Sequence, residues 1–509
     1  MKSIKKPISL LLTFAVFISF VLITPVTAAA LNPSRMTFEE YIVASLESFT
    51  EAIDIGYYIR NNDDWLQRGR ADGGQDLASW LISGLIPNII DNNPRLFNVT
   101  NSMGANWYTD FSMFTITPDY IMTPAQYTEG LRRFNIAAIQ ALGLVRHART
   151  DFEKALILHN YIALNTTYDS ELLKYYETYG FSLSPMRPIS HTAYGALVDG
   201  LAVCDGYAKA YIHLLGLAGI ESRIASGNCV KSGISHAWAM VKLDGSWYHA
   251  DPTWNAPANR PHGTIIYDFF LLSGREINKT HVNWEWATAD GRDTDSTKYS
   301  NAFFRSADSA VVILGDYFYW LESTDSIERG INNNSIMRHN ISTGRTEKVH
   351  DFEAIWYANG TEHQAGYSAW QSHARIAAYD GLLYFNTAKE ILSLDPETGR
   401  IDIVHTPSNL GGSGNRFIFG MTMNENVITF TVQTEPSARG ELLKVGVPFA
   451  DEPETDILSS ADALLILRYG AGLITLTVDQ RLKYDLNGDG VVNTADAIII
   501  LRKVAGIAA

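Results

Sequence analysis

The dipeptide Asp244-Gly245 constrains this chain more than any other pair of residues in it. It separates Ser235-His236-Ala237-Trp238-Ala239-Met240-Val241-Lys242-Leu243 from Ser246-Trp247-Tyr248-His249-Ala250-Asp251. Both flanks are strand-like, and Asp-Gly between such flanks signals a two-residue hairpin loop. That loop fixes a register. Leu243 pairs with Ser246; counting outward, Trp238 faces Asp251 and His236 faces Thr253. His236 and Asp251 then become diagonal neighbours on one sheet face, about 7–8 Å apart between backbones and within side-chain reach. A slip of one residue would send them to opposite faces. The sequence therefore predicts a carboxylate placed to hold a histidine.

A histidine held by a carboxylate can serve as the base for a nucleophile. Upstream lies Gly200-Leu201-Ala202-Val203-Cys204-Asp205-Gly206-Tyr207-Ala208, and the apolar positions Tyr207, Ala208, Tyr211, Ile212, Leu214 and Leu215 follow helical spacing. Gly216 and Gly219 close that helix. Cys204 is thus expected at a helix N-terminus, where free N–H groups and the positive dipole end favour a thiolate and can stabilise an oxyanion. Each residue alone has a plainer reading. A histidine in a strand is usually a satisfied polar residue, and an Asp before Pro is usually a turn or cap. Two cysteines, Cys204 and Cys229, default to a disulfide in a secreted chain. The joint arrangement is far more specific: Cys204 as nucleophile, His236 as base and acid, Asp251 as orienting group. Cys229, close before His236 in the chain, reads as a structural or free thiol. A bond from it to Cys204, which would inactivate the site, is the alternative.

The runs Cys-x-Gly-Tyr-Ala from Cys204, His-Ala-Trp from His236 and Trp-Tyr-x-x-Asp-Pro-Thr-Trp from Trp247 resemble the transglutaminase-like superfamily. The resemblance extends from Asp151 to Trp254. It implies a papain-like α+β unit, with the cysteine on a helix end against a sheet bearing the histidine and the aspartate. It also implies acyl transfer through a thioester on a protein or peptide substrate, with no organic cofactor. Water as acceptor gives proteolysis or amide hydrolysis; an amine gives cross-linking. The triad leaves both open. Members of the family use a further oxyanion donor upstream of the cysteine, and Tyr168 is the candidate here. Trp238, Trp247 and Trp254 are candidates for lining the site or for packing beneath it.

At 509 residues the chain is long enough for several cores. Lys2, Lys5 and Lys6, the apolar run Leu10 to Ile23 and Thr27-Ala28-Ala29-Ala30 read as a cleavable secretory signal over 1–30. The apolar run is short for a bilayer span. Residues 31–150 read as mostly helical. The transglutaminase-like unit is assigned to 151–300, a β region to 301–447, an acidic linker to 448–455 and a small module to 456–509. In the β region, Gly315-Asp316-Tyr317-Phe318-Tyr319 parallels Asp380-Gly381-Leu382-Leu383-Tyr384. Ser342-Thr343-Gly344-Arg345 parallels Glu397-Thr398-Gly399-Arg400, and a weaker third copy runs from Glu425 to Val447. Each unit reads as a blade of a partial propeller.

In the last module, Asp485, Asn487, Asp489, Val491, Asn493 and Asp496 fall at positions one, three, five, seven, nine and twelve of a calcium loop, with Gly490 at six for the turn. The segment Ser459 to Arg468 parallels Asn493 to Arg502. This duplicated loop-helix unit resembles a dockerin domain. By that resemblance it binds structural Ca2+ and docks on a cohesin-bearing scaffold protein through Thr494, Ala495, Leu501 and Arg502. The first copy departs from the pattern, since Pro453 and Thr455 stand where loop oxygens belong and Asp456 replaces the Gly. A calcium-stabilised tail without a partner is the alternative.

The expected fold class is multidomain: a papain-like α+β core, an all-β repeat region and a small α calcium module. A net charge of −15 argues against nucleic acid as partner, since phosphate binding needs a basic surface. After signal cleavage no membrane association is expected, and the chain is placed outside the cell. Three functions compete: a scaffold-docked acyl-transfer enzyme, a degenerate transglutaminase-like fold used only for binding or assembly, and a polysaccharide-degrading enzyme. No paired carboxylates at interpretable spacing support the last.

Overall fold

The computed structural model describes residues 31–179, 187–256, 263–286, 294–326, 331–354, 356, 373–408, 416–424, 426–434, 440–447, 460–470, 474, 476, 478–487 and 491–504. The signal assigned to 1–30 and the linker assigned to 448–455 lie outside these residues. Two compact units result, one up to Gly446 and one from Val447 onward. No described helix is long and apolar enough to cross a membrane.

Residues 31–150 hold more helix than strand, with one antiparallel sheet besides. Short helices from Phe38–Glu47 to Ile86–Asn92 are followed by a hairpin. Strands β1 (Ile53–Asp54), β2 (Val99–Trp107) and β3 (Phe114–Tyr120) form an antiparallel sheet in the order β1-β3-β2. Thr100, Asn101, Ser102, Gly104 and Asn106 give β2 little apolar alternation, which hid it from the sequence reading. Its register also shifts between Val99 and Met103. Tertiary packing supplies what the pattern lacks: Val99 joins a core with Leu46, Leu81 and Phe114, and Met103 and Trp107 pack against it.

Next come the helices α1 (Pro124–Leu144) and α2 (Asp151–Asn165). Thr123 and Gln126 close a capping box at the start of α1. Thr150 caps α2 by accepting the Glu153 N–H. The pair β4 (Thr167–Tyr168) and β5 (Leu201–Ala202) is parallel and flanks α3 (Ser170–Tyr179). Helix α4 (Cys204–Leu217) follows. Tyr207, Tyr211, Leu214 and Leu215 of α4 share one core with Leu156 and Ile162 of α2 and with Ala239 and Val241 of the sheet beyond. That sheet has the order β8-β7-β6-β9, with β6 (Ser222–Cys229), β7 (Ser235–Leu243), β8 (Ser246–Ala250) and β9 (His281–Trp286).

The β7–β8 register is the expected one. Leu243 pairs with Ser246, and the ladder runs to Ala239 opposite Ala250. It stops there because Asp251-Pro252 starts a short helix, Pro252–Asn255, and Pro has no N–H for a ladder. Asp244 and Gly245 both have positive φ (51° and 83°), the geometry such a turn demands.

A buried polar joint ties this α+β part to the β region. Asn160 on α2 donates from Nδ2 to the Val311 carbonyl at 2.9 Å and accepts from the Tyr267 hydroxyl at 2.8 Å. The Val311 N–H donates to the same hydroxyl at 2.7 Å. Asn160→Ala leaves buried polar groups without partners, at a cost of about 1–3 kcal/mol. The expected result is a lower denaturant midpoint for the 31–446 unit, read by chemical unfolding.

The β region is three successive antiparallel meanders. The first is β10 (Val312–Leu314), β11 (Tyr317–Ser326), β12 (Ile331–Asn340) and β13 (Thr346–Ala354). The second is β14 (Ile376–Tyr379), β15 (Leu382–Asn386), β16 (Ile391–Leu394) and β17 (Ile401–His405). The third has β18 (Phe417–Asn424), β19 (Val427–Gln433) and β20 (Glu441–Gly446). The repeated sequences fold into the same turn twice. Asn340 accepts the N–H groups of Ser342 and Thr343, and Asp395 accepts those of Glu397 and Thr398. Gly344 and Gly399 follow with φ of 69° and 75°.

In the second unit, α5 (Ser460–Gly470), α6 (Val478–Tyr484) and α7 (Thr494–Val504) surround a small core. Its burial follows the sequence duplication. Ala463 and Ile466 are buried, as are their counterparts Ala497 and Ile500. Leu464 and Leu467 are exposed, as are their counterparts Ile498 and Leu501.

Candidate active site

Three elements converge at Cys204. It is the first residue of α4, whose N-cap, Val203, provides no side-chain cap. No acceptor takes the Cys204 N–H among the described residues. Gly206 explains how the helix start fits. A Cβ there would stand 2.6 Å from the Ser190 carbonyl oxygen and 3.0 Å from that of Thr192. Only glycine lets the first turn approach the short 3-10 helix Pro188–His191 and its cap Thr192, so the Cys-x-Gly spacing is a packing requirement.

His236 and Asp251 meet as the register requires. His236 Nε2 lies 2.8 Å from Asp251 Oδ2, and both residues are buried. Asp251 is fixed from the other side. Its Oδ1 accepts the N–H groups of Thr253 at 2.9 Å and Trp254 at 3.2 Å, capping the short helix that ends the hairpin. With Nε2 committed to Asp251, Nδ1 is the ring nitrogen left to exchange a proton with a nucleophile, and Cys204 is near enough to influence the charge on the ring. Burial opposes a charge on His236. Asp251, and then Cys204, outweigh it and hold the imidazolium well above the usual histidine range. Burial would likewise raise the Asp251 carboxyl, but the charge and hydrogen bond of His236 keep it far below the ordinary carboxylate range.

Tyr168 sits at the edge of this group. It pairs with Ala202 on β5, just before Cys204, and its ring lies 6.4 Å from that of Tyr207. Its hydroxyl has no hydrogen-bond partner among the described residues. Burial, reinforced by Cys204 and Asp205, pushes its pKa far up, so the hydroxyl keeps its proton. Trp238 and Trp254 contact the His236 ring, with centroids 6.0 and 5.4 Å away. Trp247 does not reach it; its side chain lies farther along the same sheet face, in a core with Trp238, Met240 and Ile277. Cys229 forms no disulfide and is buried.

Residues 140–252 match the transglutaminase-like superfamily. Those residues include Cys204, His236 and Asp251. Residues 140–252 are a transglutaminase-like domain. No curated protein matches the chain. Among solved structures the chain is similar to a TGase at 16% identity, covering 32% of this chain and 47% of that one, with a TM-score of 0.23. The chain thus spans about half the length of that protein. It is also similar to a candidate cysteine protease of Cytophaga hutchinsonii at 13% identity, covering 50% and 79%, with a TM-score of 0.20. A candidate protease of Parabacteroides distasonis is similar at 13% identity, covering 58% and 54%, with a TM-score of 0.17.

Two groups around this site escaped sequence reasoning. The first is an ionic network behind Cys204. His191 Nδ1 lies 3.0 Å from both Asp205 oxygens, and its Nε2 lies 2.7 Å from the Tyr176 hydroxyl. Lys209 Nζ bridges Asp91 at 2.8 Å and Asp205 at 3.5 Å. Burial would raise Asp205, but His191 and Lys209 bring its carboxyl down to about 2. The network anchors the first turn of α4. The i, i+4 spacing of Asp205 and Lys209 was its one legible signal. The second group is His281, the first residue of β9, whose Nε2 lies 3.4 Å from Asp251 Oδ2. Only the alternation of His281-Val282-Asn283-Trp284 could have pointed to a strand there, and no tight turn fixes its register.

Five of the six expected calcium ligands are among the described residues of the C-terminal unit. Asp485, Asn487, Val491 and Asn493 lie in the loop between α6 and α7, and Asp496 is in the first turn of α7; Asp489 lies outside the described residues. Asp496 is buried, and it organises the loop by accepting the N–H groups of Leu486 at 2.8 Å, Asn487 at 3.2 Å and Asn493 at 2.9 Å. An all-oxygen donor set around a buried carboxylate fits a hard cation such as Ca2+. In the first copy the counterpart of Asp496 is engaged otherwise: Asp462 accepts the Tyr484 hydroxyl at 2.7 Å.

Proposed function

We propose that the chain is a secreted cysteine-dependent acyl-transfer enzyme, carried on a scaffold by its C-terminal unit. The observation that supports this most is the His236 ring, held by Asp251 at 2.8 Å and coupled electrostatically to Cys204 at the start of α4. In this reading Cys204 attacks the carbonyl carbon of a protein or peptide amide as a thiolate. The new C–S bond pushes the carbonyl electrons onto oxygen. The Cys204 N–H and the Tyr168 hydroxyl would be the donors to that oxyanion. His236 gives its proton from Nδ1 to the leaving amine, the C–N bond breaks, and a thioester remains. Water or a second amine then loses a proton to His236, attacks the thioester and releases the thiolate. Asp251 keeps Nε2–H pointed away from the sulfur throughout.

The experiment is incubation with a glutamine-bearing protein, with and without a primary amine, beside Cys204→Ala. Amine incorporation that needs Cys204 supports transfer to amines, and cleavage that needs Cys204 supports a peptidase. Neither activity would leave a binding module.

For the C-terminal unit, the reading is a dockerin-like device. Asp485, Asn487, Asp489, Val491, Asn493 and Asp496 would hold one Ca2+, which supplies charge that ties loop to helix when bound. The paired exposed faces, Leu464 with Leu467 and Ile498 with Leu501, together with Thr494, Ala495 and Arg502, are the surface offered to a cohesin-bearing scaffold. Calorimetric titration of the full chain is expected to show one calcium site, lost in Asp496→Ala. Two equal sites would contradict the reading of the first copy, and no site would remove the calcium claim.

A further inference from the structure

Asp251 Oδ2 faces two imidazoles, not one. His236 Nε2 lies 2.8 Å from it and His281 Nε2 lies 3.4 Å from it. His281 is fully buried. Its ring is boxed by Trp254 at 4.4 Å, Trp238 at 4.7 Å, His236 at 5.3 Å and Phe269 at 5.9 Å between centroids. In the sheet it stands opposite Cys229. Its Nδ1 lies 2.8 Å from the Thr280 hydroxyl, and Nε2 has no hydrogen-bond partner that meets full geometry.

These neighbours assign the tautomer. A buried lone pair facing a carboxylate oxygen would be repulsive and unsatisfied. The Thr280 hydroxyl, which also lies 3.2 Å from the Ile277 carbonyl, then turns its one proton to Nδ1 at the shorter 2.8 Å, and Nε2 carries the proton toward Asp251. At 3.4 Å this contact is longer than a formed hydrogen bond. Hydrogen bonds of this kind tighten as charge develops in the reaction.

We propose that His281 is a positioning residue: a second donor on Asp251 that fixes how strongly the carboxylate holds the His236 ring. This rests on the acyl-transfer reading above. Two donors divide the charge of one oxygen. Removing His281 leaves that charge to His236 alone, which stabilises the imidazolium and should carry the pH limb of His236 upward. The titratable groups around this centre are His159 on α2, Tyr168 on β4, Cys204 and Tyr207 on α4, Cys229 on β6, His236 on β7, His249 on β8 and Asp251 after it. Of these, only His236 and His281 approach Oδ2 of Asp251 among the described residues.

The same three side chains lie within 4.8 Å of one another and could be read as a metal set. The 2.8 Å hydrogen bond and complete burial favour the proton. The test measures the rate of Cys204 alkylation by iodoacetamide across pH, with the modified peptide identified by mass so that Cys229 is counted separately. It needs no substrate. The intact protein should show a low-pH reactive limb that His236→Ala abolishes. Should that limb be missing, the acyl-transfer reading fails first. Given the limb, His281→Phe should shift its upper end by several tenths of a pH unit or more, and His281→Gln, which keeps a donor, should restore most of the original profile. Far-ultraviolet circular dichroism confirms that both variants fold. A folded His281→Phe with an unchanged profile, or a His281→Gln that behaves like Phe, overturns the proposal. So does a limb that zinc suppresses and chelation restores only while His281 is present, which would make the cluster a metal site.

Discussion

Cys204→Ala should abolish acyl transfer and leave the fold unchanged. The expected loss in kcat/KM is roughly three to six orders of magnitude, the range seen when a nucleophile is removed from a group that acts as a unit. The fold should survive because Cys204 is only partly buried and alanine is an excellent residue for the first turn of a helix. The network of Asp205, His191 and Lys209 behind it does not use the sulfur. Melting temperature and activity measured on the same preparation check both halves. Retained turnover in Cys204→Ala would move the chemistry elsewhere.

Asp251→Asn separates two jobs that one carboxylate performs. Oδ1 caps the turn through the Thr253 and Trp254 N–H groups, and Oδ2 holds His236. An asparagine would keep its oxygen on the two N–H donors, which forces its NH2 toward His236 Nε2. That ring nitrogen must then become an acceptor, so the proton moves to Nδ1 and the base facing Cys204 is lost. About 10^4-fold lower kcat is expected, as for a triad with the wrong tautomer.

Asp251→Ala removes the cap as well. Breaking a buried pair typically costs about 3–5 kcal/mol, so this variant should also unfold more easily. The pair has a pH window. Asp251 is held below its unfolded value of 3.8, so its contribution is present above that value and is lost as pH falls. His236 is held above its unfolded value of 6.5, so its contribution is full below that value and declines as pH rises. The stability gap between the native protein and Asp251→Asn should therefore be widest between these two values and narrow on both sides. Thermal melts across pH measure it, and a gap that widens above neutrality would contradict the assignment.

What was legible in the sequence was local. Asp244-Gly245 set a register that holds from Leu243 to Ala239, and His236 and Asp251 followed from it. The helix behind Cys204 was legible because its apolar spacing and its glycines were strong. The twin turns at Asn340 and Asp395 were legible because the same side-chain chemistry recurs. His281 was not, since its approach to Asp251 depends on β9 pairing with β6 across a connection that no turn rule governs. Nor was β2, whose polar residues adopt a strand because Val99, Met103 and Trp107 pack against helices distant in sequence. The Asn160–Tyr267–Val311 joint, which binds the α+β part to the first meander, is likewise a long-range contact between residues that look ordinary alone.

The most direct test of the central claim is to catch the thioester. The protein is mixed with an activated acyl ester, quenched in acid within the first turnover and digested, and the acylated peptide is identified by mass. The account predicts one acyl group on Cys204 in the native protein and almost none in His236→Ala. An acyl group carried by Cys229, or equal labelling of Cys204 without His236, would contradict it.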